Sequence, residues 1–181
     1  IIVWDNTPAD LVQDIQGCDS YRNGQENGFA RGVNLAASKA KGEILVFLNP
    51  DTEPTGDWLD RMARGLEPRN PGILQYSNLY AATCYDYIGC TSDYIAGIQS
   101  WQWYKDDPRE FVDTKLIIPV CAMIRKSTFA EMGGFDERFF LGCEDLDFRW
   151  RMNLAGKRMG ICTDVFVHHV GHTGFELTPN K

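Results

Sequence analysis

A chain of 181 residues, 44% hydrophobic and 12% aromatic, has the make-up of one globular domain, large enough to bury about 70% of its unfolded surface. Its 18 Lys and Arg stand against 25 Asp and Glu, a formal charge of −7. That balance excludes a general nucleic-acid binder, which needs a basic face, and the aromatic content excludes disorder. The longest strongly apolar stretch, residues 116–124, contains Pro119 and falls far short of the roughly 20 residues of a membrane-spanning helix.

The opening run Ile1-Ile2-Val3-Trp4 reads as a strand entered in mid-fold, with no secretory leader before it, so the expectation is a fragment or a processed chain. It ends at Asp5-Asn6. Phe29, Val33, Ala36, Ala37 and Ala40 then recur at helical spacing, and Gly42 is placed to close that helix. Residues 44–48, all apolar, have the signature of a strand covered on both faces, and the run stops at Asn49-Pro50-Asp51-Thr52. A second helix is expected with Asp57 as its N-cap, Trp58, Leu59, Met62, Ala63 and Leu66 as its stripe and Pro68 at its end.

Residues 72–80 read as a strand, and residues 81–115 as an aromatic, irregular stretch. Within it Trp101, Trp103 and Tyr104 suit either a stacking platform for a sugar or a small core beneath a loop. Regularity returns with a strand over 117–124 and a short helix in which Thr128 and Glu131 form a capping-box pattern, stopped by Gly133-Gly134. A helix over about 144–155 is expected to pack through Leu146, Trp150 and Leu154, ahead of a last strand at Val165-Phe166-Val167. Alternating strands and helices predict a single α/β domain over residues 1–181 with a mainly parallel sheet flanked by helices.

In such sheets ligands bind beyond the carboxyl ends of strands. Asp51, placed there, is a candidate oxygen ligand for Mg²⁺ or Mn²⁺, although Asn49-Pro50-Asp51-Thr52 also suits a plain turn. A second acidic group, Asp136-Glu137 and then Glu144-Asp145-Leu146-Asp147, leads into a helix whose dipole favours ionised carboxylates, one of which can serve as a general base. Capping chemistry is the plainer account, and Asp147–Arg151 at i,i+4 fits a surface ion pair. The three histidines, His168, His169 and His172, crowd within five residues and fit either a metal role or a structural one. Of the six cysteines, Cys121 and Cys162 read as small core residues. No zinc spacing occurs, and reduced thiols in the cytoplasm are expected, with an oxidised Cys84–Cys90 pair as the alternative.

Three segments, residues 27–34, 48–52 and 133–147, carry in order Asn27-Gly28-Phe29-Ala30-Arg31-Gly32-Val33-Asn34, Leu48-Asn49-Pro50-Asp51-Thr52 and Gly133-Gly134-Phe135-Asp136-Glu137 through Glu144-Asp145-Leu146-Asp147. Together they resemble glycosyltransferase family 2, and most closely its rhamnosyltransferase-like branch. The resemblance implies a GT-A fold, a UDP- or dTDP-linked sugar donor, a carbohydrate or glycolipid acceptor, a Mn²⁺ or Mg²⁺ ion and inversion at the anomeric carbon. It gives Asp5 a contact with the base or ribose, and it puts Asn27, Gly28 and Arg31 beside the nucleotide. Asn49 and Asp51 match the family's D-x-D motif, with Asn in place of the first acid. Asp51 and His168 would hold the metal, and Asp145, with Glu144 beside it, would supply the base.

The resemblance also implies a preceding strand and helix, so the sheet is expected to have an exposed leading edge that favours self-association. A cytoplasmic location, free or held at the inner membrane face, is expected. A non-catalytic nucleotide-sugar-binding or scaffold domain is the alternative. A nucleotidyltransferase is disfavoured by the lack of an early Gly-rich, basic loop.

Overall fold

The computed structural model of the chain describes residues 1–6, 16–54, 56–64, 66, 79–85, 111–114 and 120–169. Its elements are β1 (Ile2–Trp4), β2 (Asp19–Tyr21), α1 (Gly28–Lys39), β3 (Ile44–Leu48), β4 (Thr52–Pro54), α2 (Trp58–Arg64), β5 (Leu79–Tyr85), β6 (Phe111–Thr114), β7 (Cys121–Arg125), α3 (Lys126–Glu131), α4 (Glu144–Leu154) and β8 (Met159–His169).

Strands β1 and β2 form a parallel pair. The larger sheet runs β3-β7-β5-β8-β4, with β6 also paired to β8. Strand β8 is its spine. It is parallel to β5 along one side, while β6 and then β4 pair antiparallel with its first and last residues.

The α/β class stands, but the expected mainly parallel arrangement does not. Strand β7 is antiparallel to both β3 and β5, so the described ladders are mixed and mostly antiparallel. A continuous apolar run specifies burial, not direction, and therefore could not reveal this.

The two faces of the sheet follow from strand periodicity. On β7, Ala122 and Ile124 join a core with Leu45, Phe129, Phe135, Phe148 and Met152, which belong to β3, α3, α4 and the loop between the two helices. The alternate residues Cys121 and Met123 join Met62, Leu66, Cys162, Val165 and Val167 on the α2 face. Cys121 and Cys162 are fully buried thiols in no disulfide, as their apolar contexts imply, and Cys18 and Cys143 form none either. Cys90 lies outside the described residues. The first core is built on aromatic rings, with Phe135 centred 5.0 Å from Phe148 and 5.6 Å from Phe129.

Several boundaries move for local reasons. Strand β3 matches its expected span, yet Ile44 and Leu48 are exposed, because β3 ends the described strand order and pairs with β7 alone. Helix α1 stops at Lys39 with Ala40 extended, so Gly42 is not its cap. In α2, Met62 is buried and Leu59 exposed, and the Asp57 carboxylate accepts from Arg61 Nε at 2.6 Å. Of the strand expected over 72–80 only Leu79 and Tyr80 are described; they open β5, which runs on to Tyr85 into the stretch read as irregular. Strands β2, β4 and β6 have no counterpart among the expected elements. Residues 67–78, 86–110 and 115–119 lie outside the described residues, and with them Pro68, Trp101, Trp103 and Tyr104.

The capping box at Thr128 and Glu131 does not form. Strand β7 runs directly into α3, so the helix starts at Lys126, Thr128 is buried inside it, and Glu131 instead pairs with Lys157 at 2.7 Å. The glycine stop is as expected, with Gly133 and Gly134 both at positive φ.

Helix α4 is rolled half a turn from the expected orientation. Glu144, Phe148 and Met152 face inward, whereas Leu146, Trp150 and Leu154 are exposed, Trp150 by 68%. Both stripes have i,i+4 spacing, so periodicity alone could not choose between them. Arg151 helps to fix the roll. It pairs with Asp147 at 2.7 Å, donates to the carbonyls of Met132 and Gly134, and lies 5.1 Å from the Phe148 ring centroid. Arg151→Leu leaves two carbonyls and a carboxylate without their donor, and is expected to lower stability by about 2 kcal/mol. Urea unfolding checks this, and an unchanged midpoint would show that Phe148 and Met152 suffice.

Candidate active site

At the end of β1, the Asp5 carboxylate is nearly buried and holds Arg22 at 3.1 Å. Asn6 follows and is tied into a knot of amides. Asn27, only 5% exposed, donates to Asn6 Oδ1 at 3.1 Å, to Asn23 Oδ1 at 3.0 Å and to the Gln25 carbonyl at 2.9 Å. Asn6 Nδ2 donates in turn to the Gly28 carbonyl at 3.1 Å. Neutral amides can both donate and accept, so this knot fixes the β1 end, the 22–27 loop and the start of α1 without burying net charge. Asn23 was missed in the sequence, where the polar run 22–27 is indistinguishable from a loop.

Helix α1 is joined to the segment that precedes α4. The Phe29 N–H donates to the Phe140 carbonyl at 2.9 Å, and this close approach needs a glycine at position 28, where φ is +68°. Asn34 Nδ2 donates to the Phe135 carbonyl at 2.8 Å and to Glu137 at 3.1 Å, and Asn34 Oδ1 accepts from the Phe135 N–H at 3.0 Å. Arg31 lies 3.7 Å from Glu137. The first and third motif segments, a hundred residues apart in the chain, are therefore one structural unit.

That unit leads to the acids. Gly142 and Cys143 take consecutive left-handed conformations, and Cys143 is the only non-glycine at positive φ among the described residues. The sharp turn delivers Glu144 and Asp145 at the first turn of α4. The other acids nearby are engaged. Arg138 pairs with Asp136 at 2.6 Å and holds its carboxyl at about 2, Arg151 takes Asp147, and Glu137 serves Asn34 and Arg31.

Among the described residues, Glu144 and Asp145 form no such arginine pair. Glu144 is 8% exposed, and its Oε2 is buried without a partner. Burial, and then the Asp145 charge, push its carboxyl up, partly offset by the N–H groups of Glu144 and Gly142. Asp145 is half-buried, and its Oδ1 accepts the Leu146 N–H at 2.8 Å. Burial raises its pKa too, offset by that N–H, by the Arg149 charge and by its own N–H. An acid that is raised by burial yet still reachable suits proton transfer.

The turn after β3 is also stapled. The Asn49 N–H donates to the Val120 carbonyl at 2.9 Å, and the Asn49 carbonyl accepts from the Thr52 hydroxyl at 2.6 Å. Asp51 sits in this turn, which is thus both the plain turn and the place for a strand-end carboxylate. Strand β4 then pairs Thr52 with His169 and Glu53 with His168, so the backbone brings the end of β8 beside the residues that follow Asp51. His172 lies outside the described residues. Among the described residues no three His, Cys, Asp or Glu form a ready-made metal cage. A strand-end carboxylate beside the 168–169 backbone is an oxygen donor of the type a hard cation takes. Phe47 of β3 lies 5.7 Å from Phe135, so the strand that leads into the Asp51 turn packs on the segment leading to Asp145.

The strand-end carboxylate, the amide knot at one helix start, and the buried Glu144 and half-buried Asp145 at another are carried on an α/β fold of GT-A type. The GT-A fold is seen in GalNAc-T7, crystallised with UDP, GalNAc and Mn²⁺, which superposes with a TM-score of 0.64 over 84% of this chain and 32% of its own, at 12% identity. The chain belongs to glycosyltransferase family 2, whose model, described as glycosyl transferase family 2, matches residues 1–133. Rhamnosyltransferase WbbL of Escherichia coli (strain K12) is 28% identical over 95% of this chain and 73% of its own length. The O-antigen biosynthesis protein RfbC of Myxococcus xanthus is 28% identical over 75% of this chain, which spans only 12% of that longer protein. Among the described residues no helix is long and apolar enough to cross a membrane.

Proposed function

We propose that this chain transfers a sugar from a UDP- or dTDP-linked donor to a hydroxyl of a carbohydrate or glycolipid acceptor, with inversion, in the synthesis of a polysaccharide or glycoconjugate. The observation that carries this reading is Asp145, a half-buried carboxyl at the start of α4 that takes no part in the Arg pairs engaging its neighbours. In the transfer it removes the acceptor proton as the acceptor oxygen attacks the anomeric carbon and the nucleoside diphosphate leaves. Glu144, enclosed beside it, supports the local charge and geometry.

Asp5, Asn27, Gly28 and Arg31 form the donor side. Asn6 and Asn23 hold Asn27 in place there. Asn49 shapes the turn that presents Asp51, and Asp51 with His168 holds Mn²⁺ or Mg²⁺. When bound, that cation neutralises charge on the departing diphosphate. The GalNAc-T7 structure, with UDP and Mn²⁺ bound, supports a donor and metal of this kind.

Calorimetric titration of UDP and dTDP, with and without Mn²⁺, tests the reading. Metal-dependent binding of one nucleotide is expected, and Asp51→Asn should weaken it at least about tenfold. No binding of either nucleotide under any condition would overturn it. Binding that ignores both Mn²⁺ and Asp51→Asn would remove Asp51 from the metal site.

A further inference from the structure

We propose that Arg149 is a positioning residue, the cation one helical turn beyond Asp145 that orients and charge-balances its carboxylate; this rests on Asp145 being the base. The two residues stand at i,i+4 on α4 with the carboxylate N-terminal to the guanidinium, the favourable order on a helix. Arg149 is half-buried, and its Nη1 is enclosed without an acceptor.

The neighbouring charges are committed elsewhere. On the loop between α3 and α4, Asp136 pairs with Arg138, and Glu137 serves Arg31 and Asn34. Glu131 of α3 pairs with Lys157, and on α4 itself Asp147 pairs with Arg151. Glu144 adds only like charge beside Asp145. Among the described residues, Arg149 is thus the cation whose charge favours the ionised Asp145 carboxylate. Its own burial disfavours the charged guanidinium, and the Asp145 carboxylate offsets that cost. An enclosed N–H lacking an acceptor and a half-buried carboxylate lacking an ion partner, one turn apart, are complementary.

The test is a carboxyl ¹³C NMR titration of the full chain labelled at Asp, in the wild type and in Arg149→Met and Arg149→Lys. Arg149→Met should move the Asp145 midpoint upward by about one pH unit or more, and Arg149→Lys should restore most of the difference. The Asp136 signal, low because of Arg138, reports whether the fold is intact. If Arg149→Met disturbs that signal, Arg149→Gln carries the same comparison. An unmoved Asp145 midpoint in a folded variant would overturn the proposal. The titration needs no substrate, so it can fail while Asp145 remains the base, and it can succeed even if Asp145→Asn retains full turnover.

Discussion

Asp145→Asn is expected to lower turnover by about 10²- to 10⁴-fold while leaving nucleotide affinity nearly unchanged. Asn keeps the size of the side chain and an oxygen able to accept the Leu146 N–H, so α4 keeps its first turn. It cannot take a proton from the acceptor hydroxyl. Initial rates with labelled donor, beside calorimetry with UDP, separate the two effects. Unchanged turnover would remove Asp145 as the base, and an equal loss of donor affinity would make it a donor ligand.

The pH dependence has a definite sign. Burial holds the Asp145 carboxyl above its ordinary 3.8, so turnover should fall as pH drops through that raised value, at a higher pH than an exposed Asp would give. Stability moves the opposite way. The folded chain binds the Glu144 and Asp145 protons more tightly than the unfolded chain does, so these two acids cost stability as pH rises through their folded pKa values.

What the sequence made legible follows from which signals are local. Strand β3 and helix α1 were readable because an unbroken apolar run and a 3.6-residue stripe each lie within a dozen residues. The roll of α4 was not, because Leu146, Trp150 and Leu154 compete at the same spacing with Phe148 and Met152. The choice is made by contacts to Met132, Gly134 and Phe135, which no local pattern contains. Strand direction escaped for the same reason, since the β3–β7 register joins residues some eighty positions apart.

The acids were found as a group, but their division of labour was not. Only the geometry shows that Asp136 and Asp147 are spoken for by arginines while Glu144 is buried and Asp145 half-buried. Likewise Gly28 and Asn34 could be quoted as a motif, but their partners Phe140 and Phe135 could not be named. The motif's physical content is that long-range junction.

Gly28→Ala should therefore be costly to both fold and activity. Position 28 has a φ of +68°, which costs an L-residue roughly 1–2 kcal/mol. A Cβ there would also lie 2.2 Å from the Phe140 carbonyl oxygen, and that atom is backbone, so it cannot swing aside. Together strain and overlap should lower stability by about 2–4 kcal/mol.

Gly133→Ala separates the two contributions. Position 133 has a similar φ of +77°, and nothing lies within 4 Å of its added Cβ, so only the strain remains. If urea unfolding gives equal losses for both variants, the Phe140 contact carries no weight, and α1 is not held to the loop that delivers Glu144 and Asp145. If Gly28→Ala loses clearly more, residues 139–143 must have shifted to make room. Turnover should then fall further in Gly28→Ala than in Gly133→Ala under conditions where both remain folded. That outcome would mean one junction sets the position of helix α1 and of the proposed base together, which no pairing of the motifs by sequence order alone requires.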